Sequence, residues 1–144
     1  YLSTLPNFVV MAASDEAELV RMINTSTEIN DQPCAFRYPR GTGLGSALPS
    51  INEKIEIGKS KIIQEGNKLA ILNFGARLNE TLKAAENLKK KGVKITIVDA
   101  RFAKPLDENL IWQLATTHEA IVTIEEGSIG GFGSHVIDFL SKKG

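Results

Sequence analysis

Apolar residues fall in short blocks along this chain, and the blocks alternate between two spacings. Phe8-Val9-Val10-Met11-Ala12-Ala13 is an unbroken apolar run with two β-branched residues, which predicts a buried strand. Ser14 follows with an N-cap oxygen, and Asp15 and Glu16 put negative charge in the first turn of a helix. Leu19, Val20, Ile23 and Thr27 carry that helix at its proper spacing to near Asn30. After the turn Asp31-Gln32-Pro33, Cys34-Ala35-Phe36-Arg37-Tyr38 reads as a second strand. Strand, helix and strand make one βαβ unit with parallel strands.

The pattern then lapses. Gly41, Gly43, Gly45, Pro49 and Ser50 crowd a stretch with little apolar periodicity, and a linker is expected there. Only a weak alternation over 55–63 suggests a short strand. Regularity returns with Leu69-Ala70-Ile71-Leu72-Asn73-Phe74 as a strand and Leu78, Leu82, Ala85 and Leu88 on one face of a helix. Gly92 closes that helix, with Lys89-Lys90-Lys91 in its last turn where cations suit the dipole. A strand over 93–98, a helix capped by Asp107 and marked by Leu110, Ile111 and Leu114, and a strand over 120–124 come next. A last helix starts at Ser134, with Val136, Ile137 and Leu140. Strands alternating with helices predict an α/β layer structure with a mostly parallel sheet. The expected organisation is the end of one α/β domain over 1–45, a linker over 46–58, and most of a second α/β domain over 59–144.

Composition narrows the partners. Seventeen basic residues balance seventeen acidic ones in 144, so no electrostatic footprint for nucleic acid or an anionic membrane is expected. Cys34 is the only cysteine, which fits a reducing compartment and a cytoplasmic location. No apolar run is long enough to span a bilayer. The start at Tyr1 without Met, and the end at Gly144 just after a helical pattern, read as an excised piece of a larger protein.

The candidate chemistry lies in two loops. Arg37-Tyr38-Pro39-Arg40-Gly41-Thr42-Gly43 leaves the carboxyl end of a parallel strand, where open α/β sheets bind ligands. Pro39 ends the ladder, and the glycines let backbone approach a ligand. Arg40 would project from that turn with a planar fork suited to carboxylate or phosphate. Two readings stand for it: an anion clamp, or a surface arginine paired with a nearby carboxylate. Arg37, inside the strand, reads as one half of a structural pair, with a ligand role as the alternative. The second loop, Glu125 to His135, joins two carboxylates to a glycine-rich turn before a helix. Its spacing fits neither the dinucleotide fingerprint nor the P-loop, so the glycines read as room for a tight interdomain or intersubunit contact, with Ser134 as cap. Glu125 and Glu126 remain acid or base candidates only by position. His118 and His135 have no metal-ligand partner at i+4, Cys34 reads as core, and Asp99 with Arg101 reads as a structural ion pair.

Several of these stretches together resemble a known family. They are Leu5-Pro6-Asn7, Ser14-Asp15-Glu16, Phe36 to Gly41, Asp99 to Asp107, and Glu125 to His135. They resemble 1-deoxy-D-xylulose-5-phosphate synthase, a transketolase-like enzyme, over nearly the whole chain. Ala13 stands where that family often has Pro, and Thr42 where Asn is common. The resemblance implies a thiamine-diphosphate- and Mg2+-dependent transferase that condenses pyruvate with glyceraldehyde 3-phosphate, for isoprenoid precursors and for thiamine. It implies a homodimer in a bacterial cytosol or plastid. It makes 1–45 the tail of the pyrimidine-binding domain, and 59–144 an incomplete transketolase C-terminal-like three-layer α/β domain. It assigns Arg40 to the substrate phosphate. It places catalytic, cofactor and metal residues in the remaining N-terminal part of the enzyme, so the chain alone is expected to be inactive. Transketolase itself, a 2-oxo-acid dehydrogenase β subunit, and a noncatalytic dimerisation module are the rivals.

Overall fold

A computed structural model of the chain describes residues 1–127 and 129–144. Ser128, part of the second candidate loop, lies outside the described residues. A short 3-10 turn, Leu2–Thr4, precedes β1 (Val9–Ala12), α1 (Glu16–Ser26) and β2 (Cys34–Arg37). Then come β3 (Lys61–Gln64), β4 (Leu69–Phe74), α2 (Leu78–Lys89), β5 (Ile95–Asp99), β6 (Phe102–Lys104), α3 (Glu108–Thr117), β7 (Ala120–Glu125) and α4 (Phe132–Lys143).

The described strands form two sheets. In the larger, ordered β3-β5-β4-β7, β4 is parallel to both neighbours and β3 is an antiparallel edge with a register shift between Ile62 and Gln64. The strand expected over 55–63 is confined to Lys61–Gln64, and 55–60 form no strand. β4 and β5 are apolar on both faces because helices cover both. Ile71, Ile95 and Ile97 pack on α2 through Leu78, Leu82, Ala85 and Leu88. Ala70, Leu72, Phe74 and Val98 pack on Ile111 and Leu114 of α3 and on Phe132, Val136 and Phe139 of α4. The result is the expected three-layer α/β arrangement.

The smaller sheet is ordered β2-β1-β6. β1 and β2 pair in parallel from Val9–Cys34 to Ala12–Arg37, as a βαβ unit requires. Its third strand is not predicted by periodicity. After β5 the chain turns at Arg101, in the left-handed region at φ 58°, and β6 joins β1 antiparallel through Val10–Lys104 and Met11–Phe102. Residues 102–104 thus complete a sheet begun ninety residues earlier. Val9, Met11, Ala13 and Phe102 pack on Met22 of α1, while Ala12 and Ala103 join the core of the larger sheet. The two sheets therefore share one apolar contact region.

Helix ends differ from expectation at two places. Asp15, not Ser14, caps α1 by accepting from the Glu18 amide at 2.7 Å. The buried face of α1 is Ala17, Glu18, Met22 and Thr25, and Ile23 is left exposed. α4 starts at Phe132 after Gly131, two residues before Ser134, and its Ile137 faces solvent. Asp107 caps α3 as expected, accepting from the Leu110 amide at 3.3 Å, and also accepts from the Ser60 amide at 2.9 Å. Among the described residues no helix is long and apolar enough to cross a membrane.

Candidate functional site

The carboxyl ends of β1, β2 and β4 open onto one cavity of about 430 Å3. Ala13, Ser14, Asp15, Glu16 and Leu19 form one wall, and the loop through Tyr38, Pro39 and Gly41 to Leu44 forms a second. Ala76, Arg77, Asn79 and Glu80 of the α2 start, with Glu126 after β7, form the third. This is the crevice outside the carboxyl ends of strands where α/β sheets take ligands.

Arg40 lies in the second wall but does not itself line the cavity. Its neighbours Pro39 and Gly41 do, and Arg40 is exposed. Among the described residues no carboxylate stands within ion-pair distance of it. Arg37 likewise pairs with no described carboxylate. Its guanidinium lies 5.4 Å from the Phe74 ring centre and donates to the Phe74 carbonyl at 3.5 Å, so it bridges the two sheets by stacking rather than by an ion pair.

Beneath the cavity is a buried polar cluster. The Ser14 hydroxyl donates to Asp99 Oδ2 at 2.5 Å, and the Arg101 amide donates to Oδ1 at 3.2 Å. Burial pushes the Asp99 carboxyl up to about 6, against the Ser14 hydrogen bond, with Glu18 raising it further and Arg101 opposing. The ion pair expected between Asp99 and Arg101 is formed instead by Glu18. Its Oε2 lies 2.8 Å from Arg101 Nε, off the hydrogen-bond direction, and its Oε1 accepts from Arg101 Nη2 at 2.9 Å. Glu18 also pairs with Arg21 at 3.0 Å, and Arg21 with Glu53 at 2.6 Å. The cause is the β5–β6 elbow, which turns the Arg101 side chain toward α1.

The second candidate loop has a structural occupant. Glu125 accepts from the Phe132 amide at 3.0 Å and the Gly133 amide at 2.9 Å, so its own carboxylate fills the N-terminus of α4. A Cβ on Gly127 or Gly131 would stand 2.2 or 2.5 Å from Glu125 Oε2. Gly127 and Gly131 therefore make room for Glu125. Ser134 accepts from the Gly130 amide at 3.1 Å rather than capping α4. Glu126 pairs with Arg77 at 3.0 Å, and Glu80 reaches Arg77 at 3.5 Å. Glu125→Ala is expected to lower stability by about 1–2 kcal/mol through loss of this cap, read by urea unfolding. An unchanged midpoint would show that the carboxylate does not hold the helix start.

Of the isolated residues, His118 Nε2 lies 2.7 Å from Thr96 Oγ1 and Cys34 packs at the edge of the α1 core. His135 lies on α4, away from the first cavity, and lines another of about 510 Å3 with Arg37, Phe74 and Glu125. Among the described residues no three His, Cys, Asp or Glu side chains gather into a metal-holding group. Two cavity features escaped the sequence reading. Arg77 belongs to no motif, and Glu16 reads only as first-turn charge and as part of the Ser14-Asp15-Glu16 stretch.

Comparison with known proteins agrees with the fold. The family model described as transketolase, C-terminal domain, matches residues 58–144. Among solved structures the chain is similar to a split gene transketolase in an inactive beta4 tetramer, with 30% identity and a TM-score of 0.85. The match covers 99% of this chain and 47% of that one. It also resembles a transketolase from Campylobacter jejuni subsp. jejuni NCTC 11168 at 16% identity and a TM-score of 0.57, over 95% of this chain and 24% of that one. The second likeness speaks to the fold alone. The chain spans about half the length of the first structure and about a quarter of the second.

Proposed function

The chain belongs to the transketolase C-terminal domain family, and from that premise we propose that it is the carboxyl-terminal part of a thiamine-diphosphate-dependent transferase of the 1-deoxy-D-xylulose-5-phosphate synthase kind. One observation carries the reading. The Tyr38-Pro39-Arg40-Gly41 loop leaves the carboxyl end of a parallel strand beside the cavity walled by residues 13–19, 38–44 and 76–80, and it presents an exposed guanidinium with no described carboxylate partner. In this reading Arg40 holds the phosphate of glyceraldehyde 3-phosphate while pyruvate supplies the two-carbon unit. The domain limits 1–45, 46–58 and 59–144, a homodimeric assembly and a cytosolic or plastid location belong to the same proposal.

The described residues offer no evident place for a diphosphate–magnesium group. The N-terminus of α4, which follows the glycine-rich loop, already holds the Glu125 carboxylate. No described cluster of carboxylates and imidazoles is left for a cation. In the intact enzyme thiamine diphosphate would supply the carbanion chemistry from elsewhere in the assembly. This chain's share is to bind and orient the phosphorylated aldehyde.

The test is the reaction of the intact enzyme with pyruvate and glyceraldehyde 3-phosphate. Release of carbon dioxide with formation of a five-carbon ketose phosphate is expected. Transfer of a two-carbon unit from a ketose phosphate, without decarboxylation of pyruvate, would assign transketolase instead. The 30% identity to a split gene transketolase favours a second reading, in which the N-terminal part is a separate polypeptide. Gel filtration of this chain with and without such a polypeptide distinguishes the two.

A further inference from the structure

We infer that Glu16 is a positioning residue for the anion contact of Arg40; the inference rests on the phosphate role proposed above. The loop that carries Arg40 leaves β2 at Arg37, whose carbonyl accepts from the Ala13 amide at 3.0 Å. Its other end is tied down mainly by one side chain. Glu16, in the first turn of α1, accepts from three successive amides: Leu44 at 3.1 Å, Gly45 at 2.5 Å and Ser46 at 2.8 Å. The Ser46 hydroxyl adds a bond to Asp15 Oδ2 at 3.0 Å. Arg40 therefore sits on a short span anchored at both ends.

The contact is a clasp and not a helix cap. Asp15 already caps α1, and Glu16 reaches to residues 28 to 30 positions away in sequence. Backbone comes so close that a Cβ on Gly43 would lie 2.8 Å from Glu16 Oε1, whereas one on Gly41 would meet nothing within 4 Å. The loop is packed where Glu16 holds it and open at its tip. Its own backbone amide holds the Glu16 carboxyl below the usual carboxylate range, against desolvation, with the Leu44, Ser46 and Gly45 amides adding to the effect. The first turn of α1 is itself fixed from beneath by the Ser14–Asp99 and Glu18–Arg101 contacts. A run of contacts thus joins strand β5 to the loop of Arg40.

Glu16→Gln in the intact enzyme tests this. The amide puts a donor where the carboxylate accepts, so one backbone N–H loses its partner. KM for glyceraldehyde 3-phosphate is expected to rise about tenfold, since a displacement of the order of 1 Å is costly at an oriented contact. KM for pyruvate and kcat should stay near the parent values, and exchange of the 44–46 amides should quicken. Faster exchange with an unchanged KM for the aldehyde would overturn the inference, provided Arg40→Ala does raise that KM. An equal rise for both substrates would overturn it too, by showing a general structural role. If Arg40→Ala leaves the aldehyde KM unchanged, the phosphate assignment itself fails, and this inference with it. Should Glu16→Gln not accumulate, Glu16→Asp, which keeps the charge and shortens the reach, carries the same readouts.

Discussion

Arg40→Ala in the intact enzyme is expected to weaken use of glyceraldehyde 3-phosphate by about 10- to 150-fold and to leave pyruvate use nearly untouched. The magnitude follows from the ~1.5–3 kcal/mol carried by a hydrogen bond to a charged group. The selectivity follows from chemistry, because only the aldehyde substrate bears a phosphate. The geometry supplies the reason for a net effect. Arg40 is exposed and no described carboxylate competes for it, so a bound phosphate gains its planar fork without breaking an internal pair. Arg40→Lys should recover part of the loss, since a point charge keeps the attraction and forfeits the bidentate geometry. Steady-state kinetics with each substrate varied in turn decide the matter. Equal losses for the two substrates would end the phosphate assignment.

Asp99→Asn is expected to stabilise the protein at pH 8 by about 3 kcal/mol while changing little at pH 3.5. Burial holds the Asp99 carboxyl up near 6 in the folded chain, against an ordinary value of 3.8. Between those values the folded state binds more protons than the unfolded one. Stability therefore falls as pH rises through that window and levels off above about pH 6. The gap between 3.8 and about 6, at about 1.4 kcal/mol for each tenfold change in proton affinity, gives the figure. The near-isosteric amide removes the ionisation and keeps both bonds, with Oδ1 accepting from the Arg101 amide and Nδ2 donating to Ser14. Urea unfolding across pH 3.5 to 8 reads the difference. Parallel curves for the two proteins would show that Asp99 does not carry this pH dependence.

The same cluster shows how far sequence reasoning reaches. Asp99 and Arg101 stand two residues apart, and local spacing alone makes them partners. The β5–β6 elbow instead directs Arg101 to Glu18, eighty-three residues away. Likewise Ser14 and Ser134 sit where capping residues belong. Each cap is taken by a carboxylate with better reach: Asp15 one residue on, and Glu125 across a glycine turn. The glycines between Glu125 and Ser134 could be seen, but not the carboxylate they enclose.

What the sequence determined by itself is local in origin. The alternation of the main strands and helices, the parallel β1–β2 pair, the Asp107 cap and the position of Arg40 after a strand end all follow from periodicity, turn chemistry and the βαβ pattern. Each depends on residues within about one element of each other. The tertiary structure alone decided the rest. The short β6 has only three residues, too few for a periodic signal, and gains its place by pairing with β1. The cavity needs walls from residues 13–19, 38–44 and 76–80 together with Glu126. Glu16 becomes a clasp only when the loop folds back over α1. These are contacts between segments distant in sequence, set by which partners burial leaves for each polar group, and no local pattern of residues encodes that choice.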